Sequence, residues 1–183
     1  MHDPAANPAD PLASYERLLW DLDGTLCRLG VDWPGLKVEL RQRLGAPPAA
    51  RSLAEVLEVA RERGRWDEAL AWIAVQEVKA LDEDPQLLPG SVALLKRHRA
   101  RSAIVTNNTE PAVQRFFASS GVEPVPFVSR DRAGVSKPDR RYLDLLREHW
   151  SGHRTLLIGD TETDAALAAA GGVDFLHVNE LRG

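Results

Sequence analysis

The first strongly apolar run of the chain, Glu16 to Leu22 (ERLLWDL), stops at Asp23-Gly24. A short apolar run meeting a turn dipeptide predicts a buried strand that ends at a loop. From Val31 to about Leu88 the spacing turns helical. Pro34 can open a helix that runs to Leu44 and stops at Gly45. Ser52 and Glu55 form a capping box for a second helix ending near Gly64. A third runs from about Trp66 to Leu81, with Trp66, Leu70, Ile73, Ala74, Val78 and Leu81 along one stripe. Asp82-Glu83-Asp84-Pro85 breaks it.

After Pro89-Gly90 strands and helices alternate. Helix is predicted over Ser91–Arg99, strand over Ala103–Thr106, and helix over Glu110–Ser120 with Thr109 as its cap. Val125–Ser129 can form a strand, Arg140–His149 a helix and Thr155–Ile158 a strand. Glu162–Ala170 is a helix stopped by Gly171-Gly172, and Phe175–Val178 a last short strand. This alternation predicts an α/β fold: a Rossmann-like parallel sheet with helices on both faces. The helical block interrupting it predicts a small all-helical cap. The division is a flexible tail over 1–14, an α/β core over 15–30 and 89–183, and a helical cap over 31–88.

Composition narrows the partners. The formal charge of −4 and pI near 5.7 across 183 residues argue against a nucleic-acid partner, and no basic block contradicts this. No apolar run approaches the ~20 residues that span a bilayer. The first fourteen residues contain prolines and acids but no apolar signal core. A single cysteine, Cys27, excludes an internal disulfide framework. A cytoplasmic protein is expected. The five histidines have no metal-ligand spacing, and Cys27, with no base partner indicated, is expected to be a small buried residue.

In sheets of this kind ligands bind beyond the carboxyl ends of the strands, so the residues there carry the information. After the first strand come Asp21 and Asp23, two apart on an extended chain and so facing one space. Paired carboxylates suit a nucleophile and a general acid/base; the plainer reading is a turn and helix cap. After the second core strand, Thr106-Asn107-Asn108 offers a hydroxyl and backbone N–H groups to phosphate oxygens, or is simply a polar loop. Lys137, made extended by Pro138, can neutralise a phosphoryl group and steady a carboxylate. Asp160 ends the strand before Thr161, and Asp164 lies one helical turn further on. Both could merely favour a helix N-terminus. Clustered carboxylates with little local cationic charge suit Mg²⁺.

These four clusters, in this order from about Leu18 to His177, closely resemble the haloacid dehalogenase-like superfamily. The likeness is to its phosphatase branch with a cap inserted after the first motif, of the phosphoglycolate phosphatase and β-phosphoglucomutase type. Pro89-Gly90-Ser91-Val92 resembles the segment that re-enters the core after such a cap. The resemblance implies Mg-dependent hydrolysis of a small phosphorylated metabolite through an aspartyl phosphate on Asp21. It implies Asp23 as acid and base, Thr106 and Lys137 as phosphoryl ligands with Asn107 beside them, and a metal set of Asp21, Asp23 (through its backbone carbonyl), Asp160 and Asp164. Departures are a short cap and Arg140 where relatives often carry a second proline.

Other readings remain open on sequence alone. A sugar phosphomutase would use the same nucleophile. A receiver-like domain also groups aspartates with a Lys-Pro, but the strand before Thr106 supplies no aspartate. A degenerate phosphate-binding protein is the third. Trp72 lies almost opposite the apolar stripe of its helix: it either packs on another cap helix or faces the cleft and touches the leaving group. Arg28 and Trp33 are comparable candidates.

Overall fold

The computed structural model describes residues 10–181. Strand β1 (Arg17–Trp20) has Leu18 and Trp20 in one apolar cluster and Leu19 in another, as the two-residue repeat of a strand demands. The chain turns through Asp21–Leu26 into the two-residue strand β2 (Cys27–Arg28). Helices α1 (Trp33–Leu44), α2 (Leu53–Glu62) and α3 (Trp66–Glu83) follow, close to the expected bounds. Gly45 ends α1 at φ 64°, a left-handed conformation that glycine adopts without a Cβ penalty. Both bonds of the Ser52–Glu55 capping box are present.

Strand β3 (Gln86–Leu87) then pairs antiparallel with β2, forming a neck between insert and core. Two-residue strands carry no readable period, and sequence reasoning does not predict this one. The core resumes with α4 (Pro89–Arg97), β4 (Ser102–Val105), α5 (Glu110–Ser120), β5 (Phe127–Val128) and α6 (Arg130–Ala133). It ends with α7 (Arg141–Asp144), α8 (Arg147–Trp150), β6 (Thr155–Gly159), α9 (Glu162–Gly171) and β7 (Asp174–His177). The single helix expected over 140–149 is two short ones. Leu146 N–H donates to Leu143 O in a tighter turn, and Trp150 Nε1 takes the same carbonyl at 2.5 Å.

Five strands form one parallel sheet in the order β5-β4-β1-β6-β7, with β1 at its centre. This is the α/β Rossmann-like fold predicted. Phe116, Val113 and Leu95 cover one face of the sheet, and Tyr142, Leu143 and Leu167 the other. Between the polar residues at their ends, such as Arg17, Ser102, Thr155 and Asp174, the strands are apolar, as in a sheet buried on both sides.

Two expectations need correction. Residues 1–9 of the expected tail lie outside the described residues, but its end is not loose. Leu12 is fully buried, its carbonyl accepts from Arg101 Nη2 at 3.2 Å, and Asp10 Oδ2 lies 2.8 Å from His98 Nε2. Nor is the helical block a lobe apart along its whole length. Leu70 and Ile73 of α3 pack with α1 and α2, whereas Leu81 of the same helix sits in the core cluster beside α5.

Candidate active site

Asp21 follows β1, Thr106 follows β4 and Asp160 follows β6, so all three stand at the carboxyl edge of adjacent strands. Lys137 reaches the same edge from the loop before α7. Its Nζ lies 2.6 Å from Asp21 Oδ1, 2.5 Å from Asp164 Oδ1 and 3.2 Å from Val105 O. An ammonium group has three N–H donors, and these acceptors use all of them. Burial works to lower the Lys137 pKa, but the charges of Asp21 and Asp164 outweigh it and hold the group above its ordinary value. Asp21 is itself buried, which pushes its carboxyl up to about 7; Asp164 adds to the rise and Lys137 opposes it.

One oxygen from each of Asp21, Asp160 and Asp164 can be chosen so that all lie within 4.8 Å of one another. Asp160 Oδ1 is buried without a hydrogen-bond partner among the described residues. An orphaned carboxylate oxygen beside two further carboxylates fits a hard, oxygen-seeking cation such as Mg²⁺. Asp160 owes its position to Gly24, whose φ is 85° and where any Cβ would collide with the Asp160 carboxylate. Asp164 is oriented by α9: its Oδ2 accepts from the Thr161 hydroxyl at 2.6 Å, within a capping box.

The Asp23 side chain does not join this cluster. Its Oδ1 accepts from Leu29 N–H at 2.8 Å and it also bonds the Trp33 side chain, which fixes it at the mouth of the insert. Burial raises its carboxyl, partly offset by the Leu29 bond. Burial raises both carboxyls, and Asp21 is the more deeply buried of the two.

Thr106 is fully buried, and its Oγ1 donates to Asn108 Oδ1 at 2.7 Å and accepts from Asn108 N–H at 3.1 Å. Asn107 lines the cleft, but its side-chain oxygen is turned back to accept from Lys137 N–H at 2.8 Å. It shapes the lysine loop, so its side-chain carbonyl is not the group offered to a ligand.

Two functional candidates escaped the sequence reading. Glu77 of α3 is completely buried and accepts from Asn108 Nδ2 at 2.8 Å, Thr109 N–H at 2.9 Å and Thr109 Oγ1 at 2.6 Å. Thr109 stands at the N-cap of α5, but its side chain is directed to Glu77 and makes no capping bond; Asp131 Oδ1 accepts from Glu110 N–H at 2.9 Å. Glu77 lies four residues beyond Ile73 on the apolar stripe, and an acid at such a position is the signal that could have found it. Arg130 is the second.

A cleft of about 210 Å³ is lined by Asp21, Asp23, Thr106, Lys137 and Asp164, together with Arg130 and with Trp33 and Leu53 of the insert. Trp72 is not among its lining residues. It packs in the cap cluster with its ring 3.9 Å from the Arg43 guanidinium carbon of α1, so the packing reading holds and the cleft-facing one does not. Arg28 is exposed and lies outside the cleft, Trp33 is in it, and Cys27 is buried.

The family model described as haloacid dehalogenase-like hydrolase matches residues 15–172, and the chain belongs to that family. No curated protein sequence matches it significantly. Among solved structures, a hydrolase from Pseudomonas syringae is 21% identical with a TM-score of 0.62, covering 87% of this chain and 83% of its own. CbbY from Rhodobacter sphaeroides in complex with phosphate is 18% identical with a TM-score of 0.62, covering 89% and 85%. Magnesium-bound YfnB from Bacillus subtilis is 22% identical with a TM-score of 0.54, covering 88% and 85%. At these identities the likeness is one of fold. No described helix is long and apolar enough to cross a membrane.

Proposed function

We propose that the chain hydrolyses a small phosphate monoester, with Asp21 as nucleophile and Mg²⁺ as cofactor. The observation that carries this reading is the convergence of Asp21, Asp160 and Asp164 beside the ammonium group of Lys137. Membership of a hydrolase family supports it, as do the magnesium in YfnB and the phosphate in CbbY. The cleft, at about 210 Å³, is smaller than the ~300 Å³ at which drug-sized pockets begin, which favours a compact ester.

An oxygen of Asp21 attacks phosphorus as the ester P–O bond breaks, and Asp23 gives its proton to the departing alkoxide. Asp23 then takes a proton from water, whose oxygen attacks phosphorus and breaks the aspartyl P–O bond. That returns the Asp21 carboxylate and releases phosphate. On binding, the Thr106 hydroxyl would turn its proton from Asn108 Oδ1 to a phosphoryl oxygen, while Lys137 holds Asp21 and Asp164 in place and contributes positive charge nearby. A magnesium ion held by Asp21, Asp160 and Asp164 would offset the phosphoryl charge and lower the Asp21 pKa.

The test is a screen of small phosphate esters with and without Mg²⁺, run beside Asp21→Asn. Metal-dependent release of phosphate that the variant abolishes is expected. Near wild-type turnover by Asp21→Asn, with contaminating phosphatase excluded, would remove Asp21 as nucleophile.

A further inference from the structure

Arg130 opens α6, directly after β5, and lines the cleft although only 7% of its surface is exposed. Its guanidinium Nε and Nη1 are buried and have no hydrogen-bond partner among the described residues. Its side chain bonds Tyr142, and Tyr142, Glu77 and Asp131 are the groups that act on it most strongly. Glu77 makes no hydrogen bond to it; the bonds of that carboxylate go to Asn108 and Thr109. Buried cationic donors without an acceptor are unfavourable, and proteins keep them where a ligand completes the set.

Lys137 is the other cation lining the cleft, and its three donors are taken by Asp21, Asp164 and Val105 O. Among the residues lining the cleft, Arg130 is thus the cation with donors to spare. Glu77 and Tyr142 hydrogen-bond residues of the 107–109 loop, so the guanidinium stands beside that loop, in the cleft that Asp21 also lines. A planar fork of N–H groups matches a carboxylate or phosphate two bonds at a time.

We propose that Arg130 forms a second anion subsite, so that the cleft takes phosphate esters carrying a further acidic group on the leaving-group side. This rests on the phosphatase reading for its chemistry, but not for its test. The probes are two phosphonates of equal length, 3-phosphonopropionate and propylphosphonate, which differ in the terminal carboxylate and are not hydrolysed. Binding is measured by calorimetry with Mg²⁺ present, so the result does not depend on turnover.

The wild type is expected to bind the carboxylated phosphonate about tenfold or more tightly than its partner. Arg130→Gln should lose that preference while keeping its affinity for propylphosphonate, and Arg130→Lys should keep part of it. Equal affinity of the wild type for the two phosphonates would overturn the proposal, and that arm needs no variant to fold. Equal weakening of both phosphonates in Arg130→Gln would overturn it too, because the arginine would then serve the phosphonate group common to both. Loss of hydrolysis with this preference intact would sink the phosphatase reading alone.

Discussion

The carboxylate of Glu77, on a helix of the insert, accepts hydrogen bonds from both the backbone N–H and the hydroxyl of Thr109, at 2.9 and 2.6 Å. Through this contact the insert helps to hold the loop that carries Thr106. Glu77→Gln leaves one acceptor oxygen for three donors, and should cost about 1–3 kcal/mol of stability by urea denaturation at neutral pH. Burial raises the Glu77 carboxyl, with the Thr109 and Asn108 bonds opposing. A carboxyl raised in the fold binds its proton more tightly folded than unfolded. Its contribution is therefore full below the ordinary carboxylate range and is lost as pH rises through the raised value. The stability gap between wild type and Glu77→Gln should narrow across that window; a widening gap would contradict burial as the dominant influence.

Asp160 should make magnesium visible in the unfolding temperature. At a concentration about a hundredfold above the dissociation constant, bound metal adds ~2.7 kcal/mol to the native state, several degrees for a domain of this size. Asp160→Asn should lose most of that shift while folding normally without metal. Gly24→Ala should lose it as well, because its Cβ displaces the same carboxylate. It should also unfold more easily, since alanine is strained at φ 85°. An undiminished magnesium shift in Asp160→Asn would exclude Asp160 from the metal set.

Trp33 and Trp72 should separate selectivity from packing. Trp33 lines the cleft and bonds Asp23, so Trp33→Ala should change the relative rates on different phosphate esters. Trp72→Ala should leave those ratios unchanged and lower stability by less than the ~3–5 kcal/mol of a fully buried tryptophan. Altered ratios in Trp72→Ala would mean that the outer face of the cap communicates with the cleft.

The residues legible in the sequence were those whose role depends on local geometry. Asp21, Thr106 and Asp160 each follow a strong apolar run, and a parallel sheet brings strand ends together whatever the loops between them do. Glu77 was not legible, because its partners are more than thirty positions away and the helix pattern alone marks it only as an acid among apolar residues. Thr109 reads as a cap by a sound local rule, and it does occupy the N-cap, but its side chain points to the buried Glu77 carboxylate and away from the helix N–H groups. Trp72 shows the limit of periodicity: a helical repeat says which side is apolar, not which neighbour covers the other side. Here Arg43 does. The two-residue neck and the division of α3 between two apolar clusters depend on tertiary pairing, and no window of sequence contains it.

That neck has an evolutionary consequence. Cys27 sits opposite Leu87 and Arg28 opposite Gln86, so the inserted segment leaves and re-enters the core side by side. Where the ends of an insertion are already joined, its length bears only weakly on the rest of the chain. The sheet and its strand-end residues thus form a socket that helical inserts of different size can enter without disturbing the strands. One residue must travel with any replacement: without an acid in the place of Glu77, Asn108 and Thr109 would face the newcomer with their donors unpaired.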